Sequence, residues 1–261
     1  IIISITFWLA SCNKTDKQID IESVDKDTVQ DTTTRISTDS QVESIDVVNT
    51  NDAIVYDSTV FPEGDDFETK ILTTGVFHQN EVDGNSDKQN WFGLFSGELN
   101  CYLKKTIIKM AKVNDPVLDG DDEKTGWEIT TNNDDDCVLL IESLPTLTER
   151  LVQKIQLPNH IYPSDTTSFN YSGIDYKIYA TGGKRKIQNN PEWFEVWNYK
   201  LFLSAKIDGG TRKSLLVAHQ NFDDNMTTIL FAGDIDGDGI LDLIIDTSRH
   251  YNVISPTIYL S

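Results

Sequence analysis

Four aspartates near the C-terminus stand in an order that suits a hard cation. In the run Phe231-Ala-Gly-Asp-Ile-Asp-Gly-Asp-Gly-Ile-Leu-Asp-Leu-Ile-Ile-Asp246, Asp234, Asp236, Asp238 and Asp242 fall at positions 1, 3, 5 and 9 of a loop. Calcium takes about six to eight oxygen ligands at roughly 2.3–2.6 Å, and carboxylates alternating along a curled backbone supply most of them. Gly237 and Gly239 permit the curl, because glycine accepts positive φ without a Cβ clash. The Ile240 carbonyl would be the backbone ligand at position 7, and Asp242 would close the shell. Without a cation, four carboxylates this close repel one another. The expected cofactor is calcium, held by loop 234–242. The competing reading is a solvated acidic turn in a chain with 42 acidic and 22 basic side chains.

The loop resembles the calcium loop of FG-GAP and VCBS-like repeats, the blades of integrin-α-type β-propellers. Their core reads Gly-Asp-(hydrophobic)-Asp/Asn-Gly-Asp-Gly-x-x-Asp-Leu before an apolar strand, and Gly233 to Ile245 agrees at each defined position. A propeller repeats its motif blade after blade, whereas this chain carries it once. The resemblance therefore implies a metal that staples two strands, and not a full propeller. Asn132-Asn-Asp-Asp-Asp-Cys-Val-Leu-Leu-Ile141 lacks the glycines and has Leu140 where the closing aspartate would stand, so it reads as an ordinary acidic turn. EF-hand and dockerin loops share the first three aspartates, but position 12 here is Ile245 in an apolar, β-branched run.

At the other end, Ile1-Ile-Ile-Ser-Ile-Thr-Phe-Trp-Leu-Ala-Ser-Cys12 is too short for a membrane-spanning helix of about 20 residues. It suits the apolar region of a signal peptide. Leu9-Ala10-Ser11-Cys12 resembles the lipobox of bacterial lipoproteins. That resemblance implies lipidation of Cys12 and attachment to a bacterial cell envelope, at the outer membrane. The alternative is a buried N-terminal strand. Residues from Asn13 to about Asp52 contain no aromatic residue, Gly or Pro, and cannot bury enough apolar surface to offset the entropy of ordering. The expected organisation is a signal peptide over 1–12, a disordered tether over 13–55 and a β-rich domain over 56–261.

A net charge of −20 argues against nucleic acid as a partner. It leaves the lipid anchor as the link to a membrane and an unidentified protein or glycan as ligand. From Tyr56 onward, short apolar runs such as Trp91–Phe95, Thr106–Met110, Val138–Ile141, Leu151–Leu157 and Thr228–Phe231 alternate with Asp, Asn, Gly and Pro clusters. The expectation is an all-β fold of antiparallel sheets, a sandwich or an open barrel-like domain. Ile174, Tyr176, Ile178 and Ala180 form one face of a strand expected to end at Gly182-Gly183, and Asp208-Gly209-Gly210 marks a hairpin turn. The strand after Pro256 is expected near an edge.

Trp193, Trp197 and Tyr199 raise the question of a sugar platform. Period two places Trp197 and Tyr199 on the same face as Leu201 and Leu203, so core packing is expected for both, with Trp193 free to protrude. His78 and Glu81 are the one candidate acid–base or metal pair, and converge only if a turn separates them. Cys101 and Cys137 form a disulfide or remain two thiols. No nucleophile elbow, zinc-protease signature, phosphate loop or Cys-x-x-Cys is present. These residues together suggest a non-catalytic calcium-binding protein. The alternatives are a metal-dependent or His/Glu hydrolase, and an inhibitor that captures a basic protein through an acidic loop such as Asp119-Gly-Asp-Asp-Glu123.

Overall fold

The computed structural model describes residues 3–6, 9–10, 54, 56 and 69–261, without 98–99, 116 and 188–189. The chain divides into two units, residues 1–13 with 56–261, and residues 14–55. The strands below belong to the first. Cys12 and the expected tether, Ile54 apart, lie outside the described residues.

The fold is all-β. In chain order the strands are β1 (Ile3–Thr6), β2 (Leu9–Ala10), β3 (Ile71–Leu72), β4 (Gly75–Phe77), β5 (Trp91–Ser96), β6 (Cys101–Thr106), β7 (Ile108–Val113), β8 (Gly126–Thr131) and β9 (Cys137–Glu142). They continue as β10 (Arg150–Val152), β11 (Thr166–Tyr171), β12 (Ile174–Ile187), β13 (Asn190–Ile207), β14 (Gly210–Asn221), β15 (Thr228–Gly233), β16 (Asp242–Asp246), β17 (Val253–Ile254) and β18 (Pro256–Leu260).

Four antiparallel sheets, ordered β11-β12-β13-β14, β1-β18-β16-β15, β10-β6-β5-β9-β3 and β4-β8-β7, enclose three apolar cores. The β1-β18-β16-β15 sheet is central. Leu243, Ile245 and Tyr259 point from it towards Ile178, Leu201 and Leu203 of one neighbouring sheet. Ile244, Ile258 and Leu260 alternate with them and point towards Leu94, Leu103 and Leu139 of the other. A sheet covered on both faces needs apolar residues at successive positions, which is why Leu243-Ile244-Ile245 has no polar alternation. The far face of the five-stranded sheet packs Trp91 and Leu140 against Phe77, Ile108 and Ile129 of the three-stranded one. These stacked sheets form neither a closed barrel nor a propeller.

Several boundaries differ from the sequence reading. The run Thr106–Met110 breaks at Ile107, which separates β6 from β7. Leu151–Leu157 is a strand only as far as Val152. β12 does not end at Gly182-Gly183; it runs on to Ile187, and its pairing with β13 steps from Thr181↔Lys200 to Gly183↔Trp197. β18 does lie near the edge, one strand in, because β1 pairs with it from Ile3↔Leu260 to Thr6↔Thr257, and β2 pairs with β17. The segment expected to be a signal peptide thus forms strands against the C-terminal part of the chain. The turn at Asp208-Gly209 is as expected, with φ of 52° and 75° at the two central positions, the positive values that a two-residue hairpin requires.

The doubly covered central sheet generates a stability prediction. Ile244→Ala should cost about 2–5 kcal/mol in chemical denaturation, because it opens a cavity at a fully buried site. Leu151→Ala, on a side chain 69 % exposed, should change stability by less than about 0.5 kcal/mol.

Candidate metal centre

The acidic loop joins β15 to β16 at one end of the central sheet, where Gly233 pairs with Asp242. Two side chains anchor it to opposite cores: Ile235 is buried with Phe231 and Ile244, and Leu241 with Leu243 and Tyr176. Leu241 also donates its N–H to the Tyr176 hydroxyl at 3.3 Å. Between these anchors Gly237 and Gly239 take φ of 93° and 84°. The curl turns successive N–H groups inward. Asp234 Oδ1 accepts from Gly237 N–H at 2.5 Å, and its Oδ2 accepts from Gly239 N–H at 3.0 Å. Asp236 accepts from Asp238 N–H at 3.3 Å, and Asp238 from Ile240 N–H at 2.7 Å.

Asp234, Asp236 and Asp242 each place a carboxylate oxygen within 4.8 Å of the others, a group able to hold a metal ion. Asp238 is not in that group. One of its oxygens caps the Ile240 N–H, and the other lies 3.5 Å from the Ser261 hydroxyl. Ile240, expected to supply its carbonyl, packs its side chain partly against the core beside β12.

Asp242 is 0 % exposed. Its Oδ2 accepts from Ile235 N–H at 2.7 Å, and its Oδ1 from Ser261 N–H and Oγ at 3.1 and 3.3 Å. Burial pushes its carboxyl up to about 7, the Asp236 and Asp238 charges push the same way, and the N–H groups of Ile235 and Ser261 resist. Asp236 is also raised, first by burial and then by Asp238 and Asp234. The sequence reading missed Arg150. A Cβ at Gly237 would overlap its guanidinium, Nη1 is buried without a hydrogen-bond partner, and its charge draws the Asp236 carboxyl down. Arg150 enters β10 some 85 residues before the loop, so no local pattern announces it.

His78 and Glu81 are separated by the turn that their pairing requires, but the turn uses Glu81 itself. Its Oε2 accepts the His78 N–H at 2.7 Å, while Glu81 N–H donates to the His78 carbonyl at 3.1 Å. The His78 ring instead meets Asp115, Nδ1 to Oδ2 at 2.5 Å. Asp115 is 1 % exposed and also accepts from the N–H groups of Val117 and Leu118. Burial alone would raise its carboxyl, but the bonds from His78, Val117 and Leu118 hold it below the usual value. No hydroxyl or thiol bonds to His78 among the described residues, so the dyad lacks a nucleophile.

Cys101 and Cys137 are both free. They lie on strands either side of β5, opposite Ser96 and Phe95, roughly 10 Å apart at two strand spacings. Their side chains join different cores on opposite faces of the sheet. That separation exceeds the roughly 7 Å Cα limit for a disulfide, so of the two alternatives the structure has two thiols. Burial pushes the Cys137 thiol up to about 12 and removes it from reactive chemistry.

Tyr199 is a core residue as expected, its hydroxyl donating to the Ile161 carbonyl at 3.0 Å. Trp197 is not. The bulge at Gly182 and Asn198, with φ of 132° and 50°, reverses the alternation, so Val196 is buried and Trp197 turns to the other face. There its ring lies on Gly183 with the Arg185 guanidinium 6.0 Å from the ring centroid, and Trp193 is 49 % exposed.

Set beside protein-family models, curated proteins and solved structures, the chain matches none of them. The class is thus defined by fold and side-chain geometry alone, an all-β stack of sheets with three aspartates clustered closely enough to hold a metal ion.

The raised Asp242 sets a pH dependence. Its folded value lies above the unfolded one of about 3.9, so its stabilising contribution is complete below about pH 4 and is lost as pH rises through about 7. The metal-free protein should therefore lose on the order of a few kcal/mol over that window, measured by denaturation at each pH. A cation reverses the preference, so binding should strengthen from pH 5 to about 7 and release about one proton. Arg150→Met should tighten divalent-cation binding by on the order of 1 kcal/mol, since it removes a like charge from beside the site.

Proposed function

We propose that this chain is a calcium-binding, membrane-anchored lipoprotein of a bacterial cell envelope with a non-catalytic structural or binding role. The observation that carries the calcium reading is the convergence of Asp234, Asp236 and Asp242 within 4.8 Å on a loop that its own N–H groups hold curled. Three carboxylates with room for carbonyl and water oxygens suit the larger, more tolerant calcium ion. Magnesium demands octahedral geometry and releases its waters reluctantly. The ion's role is to fasten the β15–β16 connection and to neutralise the charge on Asp242.

Anchoring rests on Leu9-Ala10-Ser11-Cys12. Processing at Cys12 would remove β1 and β2 and leave β18 as the edge of the central sheet. The hydrolase reading has less support, since Glu81 is engaged by its own turn. A second binding reading draws on the loop after β7. Asn114 Nδ2 donates to the carbonyls of Gly120 and Glu123, and Asp119 accepts from Asp115 N–H and from Thr125. This bracing holds Val117 and Leu118 exposed beside Asp121, Asp122 and Glu123. A rigid acidic loop with an apolar tip suits capture of a basic protein.

Two experiments test the main reading. Calorimetric titration of the full chain should show calcium binding that Asp236→Ala removes, and calcium at a hundred times its dissociation constant should add about 2.7 kcal/mol of stability. No calcium heat at millimolar concentration would reduce the loop to an acidic turn. In a bacterial host, the chain should take up labelled fatty acid at Cys12 and lose residues 1–11, and Cys12→Ala should abolish both. An exported chain that keeps Ile3–Thr6 would exclude the lipoprotein reading.

A further inference from the structure

At one end of the five-stranded sheet the termini of β5, β6, β8 and β9 enclose an open cleft of about 490 Å³. That volume lies within the range of about 300–1,000 Å³ common for small-molecule sites. Trp91 forms its floor, with the indole N–H already donated to the Ser86 carbonyl at 2.8 Å. Ile107 forms one wall and is 65 % exposed, an unusual position for a large apolar side chain held rigidly. The rigidity comes from Asn132. Its Oδ1 accepts from Ile107 N–H at 3.2 Å and from the Thr106 hydroxyl at 2.9 Å, and its N–H donates to the Ile107 carbonyl at 3.2 Å. With Oδ1 so occupied, the Asn132 Nδ2 group is left as a donor. Asn90 and Ser143 are tied together by a backbone bond of 2.8 Å, and their side chains add an amide and a hydroxyl to the lining. Among the described residues Lys105 is the only ionisable side chain of the lining; Glu149, which accepts its backbone N–H, is not part of it.

The geometry points to a ligand with several hydroxyl or ring oxygens, one negative charge and an apolar face. We propose that this cleft binds a carboxylated sugar, as a monomer or within a short oligosaccharide. The sugar's oxygens would meet Asn90, Asn132 and Ser143, its carboxylate Lys105, and its C–H face Ile107. Charges beyond about 8–10 Å are screened at physiological salt, so distant carboxylates do not bear on an anion here. Glu149, bonded to the Lys105 backbone N–H at 3.1 Å, opposes it, and Lys105 must outweigh it. Asn132 is fixed before binding by its bonds to Thr106 and Ile107, so that donor loses little ordering entropy on association. This inference does not depend on calcium at the acidic loop.

The test is titration of the full chain with trigalacturonate and with its methyl ester, which keeps the shape and removes the charge. Trigalacturonate should bind, and Lys105→Met should weaken it by about tenfold while leaving the ester unchanged. Ile107→Asp should weaken both ligands, and an unaltered melting temperature will show that each variant is folded. Running each titration in calcium and in chelator separates this site from the acidic loop, since binding here should persist in chelator. No trigalacturonate binding at tens of millimolar, or equal affinity in Lys105→Met, would overturn the proposal.

Discussion

A carboxylate with no exposure to water stands where three layers of this protein meet. Asp242 begins β16, a strand buried at its first four positions, and its oxygens are held by backbone N–H groups from the loop before it and from Ser261. Two N–H bonds do not compensate for the loss of solvent, and the carboxyl is pushed up to about 7 in consequence. The neighbouring aspartates worsen the imbalance instead of relieving it. The loop is thus built with a deficit of positive charge, which a proton offsets in acid and which a bound cation would offset at neutral pH. Arg150 relieves part of it from the side of Gly237, but its unpaired Nη1 shows that it is not the group the carboxylates enclose.

That imbalance is positioned by the sheet order. The central sheet is apolar on both faces, so its ends are the places where its backbone can turn and where polar groups can gather. Ile235 and Leu241 fix the loop to the two cores, and the glycines between them give it the curvature that brings Asp234 and Asp236 towards Asp242. A metal at this point would bind a hairpin whose two strands are already in register. Its contribution lies in holding the loop closed, and not in creating the sheet.

The cleft and the exposed aromatic face of this fold are produced by departures from regular strands. The break at Ile107 lets β6 and β7 enter different sheets, and the corner it leaves is the wall of the cleft beneath Lys105 and Asn132. The bulge at Gly182 and Asn198 likewise turns Trp197 from the core to the outer face. The indole then rests on Gly183, where any other residue would carry a Cβ into the ring. The aromatic face of β13 is therefore partly covered by its own ribbon. The cleft offers the more complete set of free polar groups.

The sequence by itself determined the all-β class, the Asp208-Gly209 turn and a loop of four aspartates, of which three cluster. Each rests on short-range rules: period-two burial, positive φ at adjacent turn residues, and ligands spaced two apart on one loop. It also identified Tyr199 as core. Only the tertiary structure decided the rest. Arg150, the His78–Asp115 contact and the cleft unite residues brought together by strand pairing across tens of positions, and no local spacing encodes them. Cys101 and Cys137 looked pairable until the sheet put them on opposite faces of β5. Trp197 was misassigned because the bulge at Asn198 puts the side chains before it out of phase with Tyr199, Leu201 and Leu203 after it, while alternation read along a chain assumes that no bulge occurs. The pairing of Ile3–Thr6 with β18 was likewise invisible, since an apolar run of that length fits a signal segment and an edge strand equally well until its partner is known.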